Sequence, residues 1–79
     1  MLTDAIVSVI VKDGKTLLIE RSGGPFAGWW GPVSGKVEPG ESQAAAVERE
    51  SMEEVGLTVR PVRKVWENIS TGKMYRLHW

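Results

Sequence analysis

From residue 4 to residue 11 the chain is almost continuously apolar and rich in β-branched side chains. Such a run fits a strand covered on both faces better than one with a wet side. Lys12-Asp13-Gly14-Lys15 follows, and Asp-Gly after an apolar run predicts a hairpin, with residues 16–21 returning as a second strand that closes on Arg21. Residues 22–30 hold Gly23, Gly24, Pro25 and Gly28, too many turn formers for regular structure, together with the aromatics Phe26, Trp29 and Trp30. A short strand over 33–37 delivers Gly35. Glu38-Pro39-Gly40-Glu41 then places Pro and Gly at the central positions of a type II turn. Ser42 is an N-cap, nothing breaks a helix through Val55, and Gly56 stands where a left-handed C-terminal cap belongs.

After the helix, residues 57–69 carry Val59, Val62, Val65, Trp66 and Ile69, with Pro61 imposing a bend or an edge position. A turn over 70–73 leads into residues 74–79, where Met74, Arg76 and His78 alternate with Tyr75, Leu77 and Trp79. That is the period of a half-buried strand. His78 falls on its more polar face and is expected to be an ordinary surface residue. Strands before and after one long helix make an α+β sheet that carries the helix on one face.

At 3.6 residues per turn, Ala44, Val47, Ser51 and Val55 share the face that should pack on the sheet, with Met52 beside them. Ser51 is therefore expected to be buried. Its hydroxyl has only a bond back to the Val47 carbonyl to offset desolvation, so Ser51→Leu or Ser51→Val is expected to stabilise. Glu50, Glu53 and Glu54 gather on the other side, at the spacings where helical side chains meet. Arg49 can pair with Glu53, but one guanidinium does not neutralise three carboxylates. A hard divalent ion bound through oxygen would. A solvated acidic face is the commoner explanation of a Glu-rich helix, and helix chemistry alone favours it. The loop aromatics are similarly double-valued: Trp29 could stack on a base, whereas Trp30, next to the strand into Gly35, is expected to plug the core.

Seventy-nine residues make one small domain with a thin core. Ten basic and ten acidic residues cancel, so the overall balance calls for neither nucleic acid nor an anionic membrane as partner. The absence of cysteine removes disulfides, thiolate metal sites and a thiol nucleophile. No apolar run approaches the ~20 residues of a membrane span. The start lacks the basic, apolar and small-residue pattern of a secretory leader, so a cytoplasmic protein is expected.

The spacing of the charged stretch adds what composition does not. Gly35, five residues, Glu41, seven residues, Arg49-Glu50, two residues, Glu53-Glu54, one residue, Gly56 and the aliphatic Leu57 resemble the signature box of the Nudix hydrolases. Seven fixed identities at a background of roughly 7% coincide by chance on the order of once in 10^8 start positions. The residue after Arg49-Glu50 is normally a bulky aliphatic and here is Ser51. Val33-Ser34 stand before Gly35, where many relatives have Pro-Gly-Gly.

The resemblance implies a partial α/β/α sandwich around a mixed sheet and a pyrophosphohydrolase. Its substrate would be a nucleoside diphosphate linked to another moiety, or another small diphosphate, attacked at phosphorus by water. It implies magnesium (Mg2+), with manganese (Mn2+) as substitute, held by Glu50, Glu53, Glu54 and the Gly35 carbonyl. Glu41 and Arg49 are then orienting partners, and the catalytic set is Glu50, Glu53 and Arg49, with Glu50 or Glu53 taking the water's proton. Arg21, Lys36 and Trp29 are candidate substrate contacts. The family domain normally runs well past a hundred residues, so residues 1–79 are expected to be a single, C-terminally truncated domain. The strand at 74–79 would then present an unpaired edge, leading to a homodimer or a strand-swapped oligomer and to weak turnover. The alternative is a catalytically weak or inactive binding or structural module that keeps the metal-binding loop-helix.

Overall fold

The computed structural model describes residues 2–24, 27–70 and 75–79. Phe26, most of the turn expected over 70–73 and the strand residue Met74 lie outside them. A four-stranded mixed sheet forms the centre, in the order β6 (Val33–Lys36), β1 (Thr3–Ser8), β8 (Tyr75–His78), β7 (Glu67–Ile69). β1 runs antiparallel to β6 and parallel to β8, and β7 runs antiparallel to β8. One helix, α1 (Gln43–Val55), rests on β6 and β1. The result is an α+β fold with a helix on one face of the sheet.

The apolar opening run divides. Ala5 to Ser8 are buried in β1, but Val9 and Val11 are exposed, and Val11 begins a separate ribbon of β2 (Val11–Lys12) and β3 (Lys15–Thr16). Its turn has Asp13 and Gly14 both at positive φ, 53° and 74°, the type I′ geometry that Asp-Gly favours. The second predicted strand also breaks. Its end becomes β4 (Ile19–Glu20), paired with β5 (Trp30–Gly31) in a second hairpin outside the main sheet. That hairpin keeps Trp30 64% exposed, so Trp30 does not plug the core.

The helix boundaries follow the local signals. Ser42 Oγ accepts from the Ala45 amide at 3.0 Å, and Gly56, at φ 67°, donates to the Met52 carbonyl while Leu57 donates to that of Ser51. Before the helix, Glu41 N–H donates to the Glu38 carbonyl and Gly40 takes φ 78°, as the expected turn requires. The buried face is rotated from the expected one. Ala46 and Ser51 are buried, whereas Ala44 and Met52 are exposed. The rotation turns Glu50 toward the sheet, to which the side-chain-free Gly35 gives room.

Two expectations for the C-terminal strand are corrected. β8 is not an edge: β1 pairs with it on one side and β7 on the other, and the edges of the sheet are β6 and β7. The proposed route to a dimer or swapped oligomer through an unpaired 74–79 edge therefore has no basis. Nor is His78 a surface residue. It is buried on the helix side, with Nε2 2.9 Å from Asp4 Oδ1 and Nδ1 2.7 Å from Lys64 Nζ. With Nε2 protonated, the ring donates to Asp4 and accepts from Lys64. Among the described residues no helix is long and apolar enough to cross a membrane.

Candidate metal and diphosphate site

Alternation along β6 organises the site. Gly35 lies opposite Ile6 and Val33 opposite Ser8, on the face that carries α1, so Ser34 and Lys36 face the other way with Ala5 and Val7. On the helix side, a Cβ added at Gly35 would fall on the Glu50 carboxylate. The absence of a side chain is what lets that carboxylate reach the strand. Glu54 lies one turn further on. Its pKa is raised, first by partial burial and then by the charge of Glu50. Two carboxylates thus share a patch that favours a cation.

Arg49 holds the patch in place. Its Nε and Nη2 fork onto Glu41 at 2.8 and 2.9 Å, Nη1 donates to Glu50 Oε1 at 2.6 Å, and Nη2 also donates to the Lys36 carbonyl at 2.9 Å. Glu41 in turn accepts the Glu38 amide at 3.1 Å, closing the turn before the helix. The Arg49 hydrogen bonds hold the Glu41 carboxyl below its usual range, and Glu41 and then Glu50 raise the pKa of Arg49. One guanidinium therefore ties turn, strand and helix together, a task that needs its planar fork of donors.

Glu53 meets Glu50 at the same Arg49 nitrogen but is far more exposed. Its side chain is 59% exposed and reaches Arg49 Nη1 at 3.4 Å. Among the described residues no three His, Cys, Asp or Glu side chains converge as a finished metal cage. The donor set of Glu50, Glu54 and the backbone at Gly35 still fits a hard divalent ion that completes its shell with water or substrate oxygen, as magnesium does.

The opposite face of the same strand carries cations. Arg21 and Lys36 line a cleft of about 460 Å³ with Ser34, Gly35, Tyr75 and Trp79 around an apolar floor of Ala5, Val7 and Leu77. Arg21 Nη2 donates to Ser34 Oγ at 2.7 Å, and its charge also acts on Glu54. Trp29 is not part of this cleft; the residue is 67% exposed, and its carbonyl accepts the Arg21 amide in the β4–β5 hairpin. Sequence reasoning placed Arg21 and Lys36 here but missed Ser34. The signal was present, because the period of two along β6 puts Ser34 on the side of Lys36, and Ser stands where a Gly was expected.

Comparison at the family level matches the NUDIX domain over residues 2–79. The chain belongs to the Nudix family. Among Nudix proteins it is 37% identical to the CTP pyrophosphohydrolase of Escherichia coli (strain K12), over 95% of this chain and 58% of that protein. It is 47% identical to the ADP-ribose pyrophosphatase of Methanocaldococcus jannaschii, over 67% of this chain and 31% of that protein. The crystal structure of a MutT NUDIX hydrolase from Burkholderia pseudomallei superposes with a TM-score of 0.80 at 32% identity, covering 99% of this chain and 62% of that one. The chain thus spans under two thirds of the length of each of these Nudix relatives. The shared fold is the mixed sheet with the box helix described above.

Proposed function

We propose that this chain hydrolyses the diphosphate linkage of a small nucleotide-type substrate, with water attacking phosphorus and Mg2+, or Mn2+ in its place, as the required ion. The observation that carries the reading is the division of β6. A carboxylate pair, Glu50 and Glu54, borders one face, and a cation pair, Arg21 and Lys36, borders the other. A diphosphate lying against this edge strand meets positive charge from both directions once an ion is bound. When bound, the ion supplies neutralisation of phosphate oxygens and acidification of a water.

The remaining work falls to the chain's own groups. Glu50 and Glu54, with the Gly35 carbonyl, hold the ion. Arg49 and Glu41 keep Glu50 in register with Gly35. Arg21 and Lys36 bind phosphate oxygens, and the apolar cleft floor excludes water from one side. Glu53, exposed and tethered only at 3.4 Å, is the candidate to accept the water's proton. Positioning and charge neutralisation are the main contributions open to a protein in phosphoryl transfer.

A second reading, binding without efficient turnover, is favoured by the contact that holds the Glu53 carboxylate on Arg49. One experiment separates the two. A panel of nucleoside triphosphates, ADP-ribose and dinucleoside polyphosphates is incubated with the chain, with and without Mg2+, and nucleotide release is followed. Magnesium-dependent release supports hydrolysis. Binding of substrate with no release from any member supports the second reading and overturns the first.

A further inference from the structure

We propose that Ser34 is a positioning residue that holds the Arg21 guanidinium at the outer face of β6, ready for a diphosphate, an inference that rests on the functional reading above. Arg21 directly follows β4 and continues the hairpin outside the main sheet. Two backbone bonds to residues 28 and 29 fix its main chain, but the long side chain must cross from the hairpin to the sheet. The 2.7 Å bond from Nη2 to Ser34 Oγ anchors it there. This is a charge-assisted bond between half-buried partners, and it uses one of five guanidinium N–H groups, leaving the others for phosphate oxygens.

Ser34 stands at a junction. Its side chain faces the cleft with Lys36, whereas Gly35, the next residue, faces Glu50 on the other side. A backbone bond from Ser34 also acts on Glu54. Ser34 therefore stands between the cation pair and the carboxylate pair. A glycine at this position would leave the backbone role intact and remove the anchor. Arg21 would then have to be ordered by the ligand itself, and the entropy of that ordering weakens binding.

The test uses methylenediphosphonate, a diphosphate analogue that cannot be hydrolysed, titrated calorimetrically into the full chain in EDTA. Ser34→Ala is expected to weaken binding about tenfold, the scale of a lost hydrogen bond to a charged group. Ser34→Thr is expected to restore it. Arg21→Ala is expected to weaken it at least as much as Ser34→Ala. The double variant should be no weaker than Arg21→Ala alone, because the hydroxyl acts only through the guanidinium. Additive losses in the double variant, unchanged affinity in Ser34→Ala, or no binding by the parent would each overturn the proposal. Hydrolysis is scored separately: a chain that shows this binding pattern but releases no nucleotide under Mg2+ refutes the hydrolase reading and leaves the role of Ser34 standing.

Discussion

The Glu50 carboxylate occupies the space where a side chain at Gly35 would begin. The contact joins the middle of the helix to the edge strand. Gly35→Ala must therefore displace Glu50, because the alternative is movement of a strand paired with β1. We expect Gly35→Ala to lower manganese affinity by about 10- to 100-fold, the range seen when a ligand's support is lost, while the far-ultraviolet circular dichroism stays unchanged. Glu54→Gln should weaken the same affinity and leave stability equal or higher, since it relieves a raised, repelled carboxyl. Manganese titration checks both, and full affinity in both variants would remove the ion from this site.

Arg49→Lys keeps the charge and loses the fork. The Glu41 bidentate pair, the Glu50 bond and the Lys36 carbonyl bond cannot all be made by one ammonium. Activity or ion affinity is expected to fall about 10- to 100-fold, with the loss shared by Glu41→Gln. A Lys variant indistinguishable from the parent in an ion titration would show that the geometry around Arg49 is irrelevant.

Ser51 is fully buried, as the apolar periodicity predicts, but its partner is not the Val47 carbonyl. Its Oγ lies 3.4 Å from Ser8 Oγ on β1, across the helix–sheet contact. That pairing reverses the expected outcome of enlarging the side chain. Ser51→Leu adds methylenes at a fully buried position and leaves the Ser8 hydroxyl without its partner, so it is expected to cost about 1 to 3 kcal/mol. Ser8→Ala combined with Ser51→Ala should be nearly neutral, because neither hydroxyl is left alone. Urea midpoints decide the matter, and a higher midpoint for Ser51→Leu would contradict the packing described here.

Asp4 and His78 give the sheet a pH-dependent clasp between its parallel strands. The His78 hydrogen bond holds the Asp4 carboxyl below the usual aspartate range. A carboxyl depressed on folding adds stability above its unfolded pKa and loses it as pH falls through the lower folded value. Melting temperature should therefore drop less steeply below about pH 4 in Asp4→Asn than in the parent, and the two should converge at the acid end. Asp4 is more than half exposed, so the gap should shrink in high salt. Parallel melting curves for the two proteins across that range would refute the clasp.

Local chemistry made the centre of this protein readable. The turn at 38–41, the caps at Ser42 and Gly56 and the carboxylate spacing are set by neighbours in sequence. Those signals survive folding unchanged. The Arg49 hub also spans short separations, at most 13 residues, and the resemblance of the box anticipated its roles. What the residues alone could not convey depends on distant pairings. Ser8 meets Ser51 across 43 residues and His78 meets Asp4 across 74, and no periodicity in either segment encodes the other. The central place of β8 is likewise a property of strand order, since an alternating strand reads the same at an edge and in the interior. Even the helix face was misjudged by part of a turn, because the space that decided it lies at Gly35, on a different element. Sequence periodicity fixes which side chains share a face; only the opposing surface decides which of them is buried.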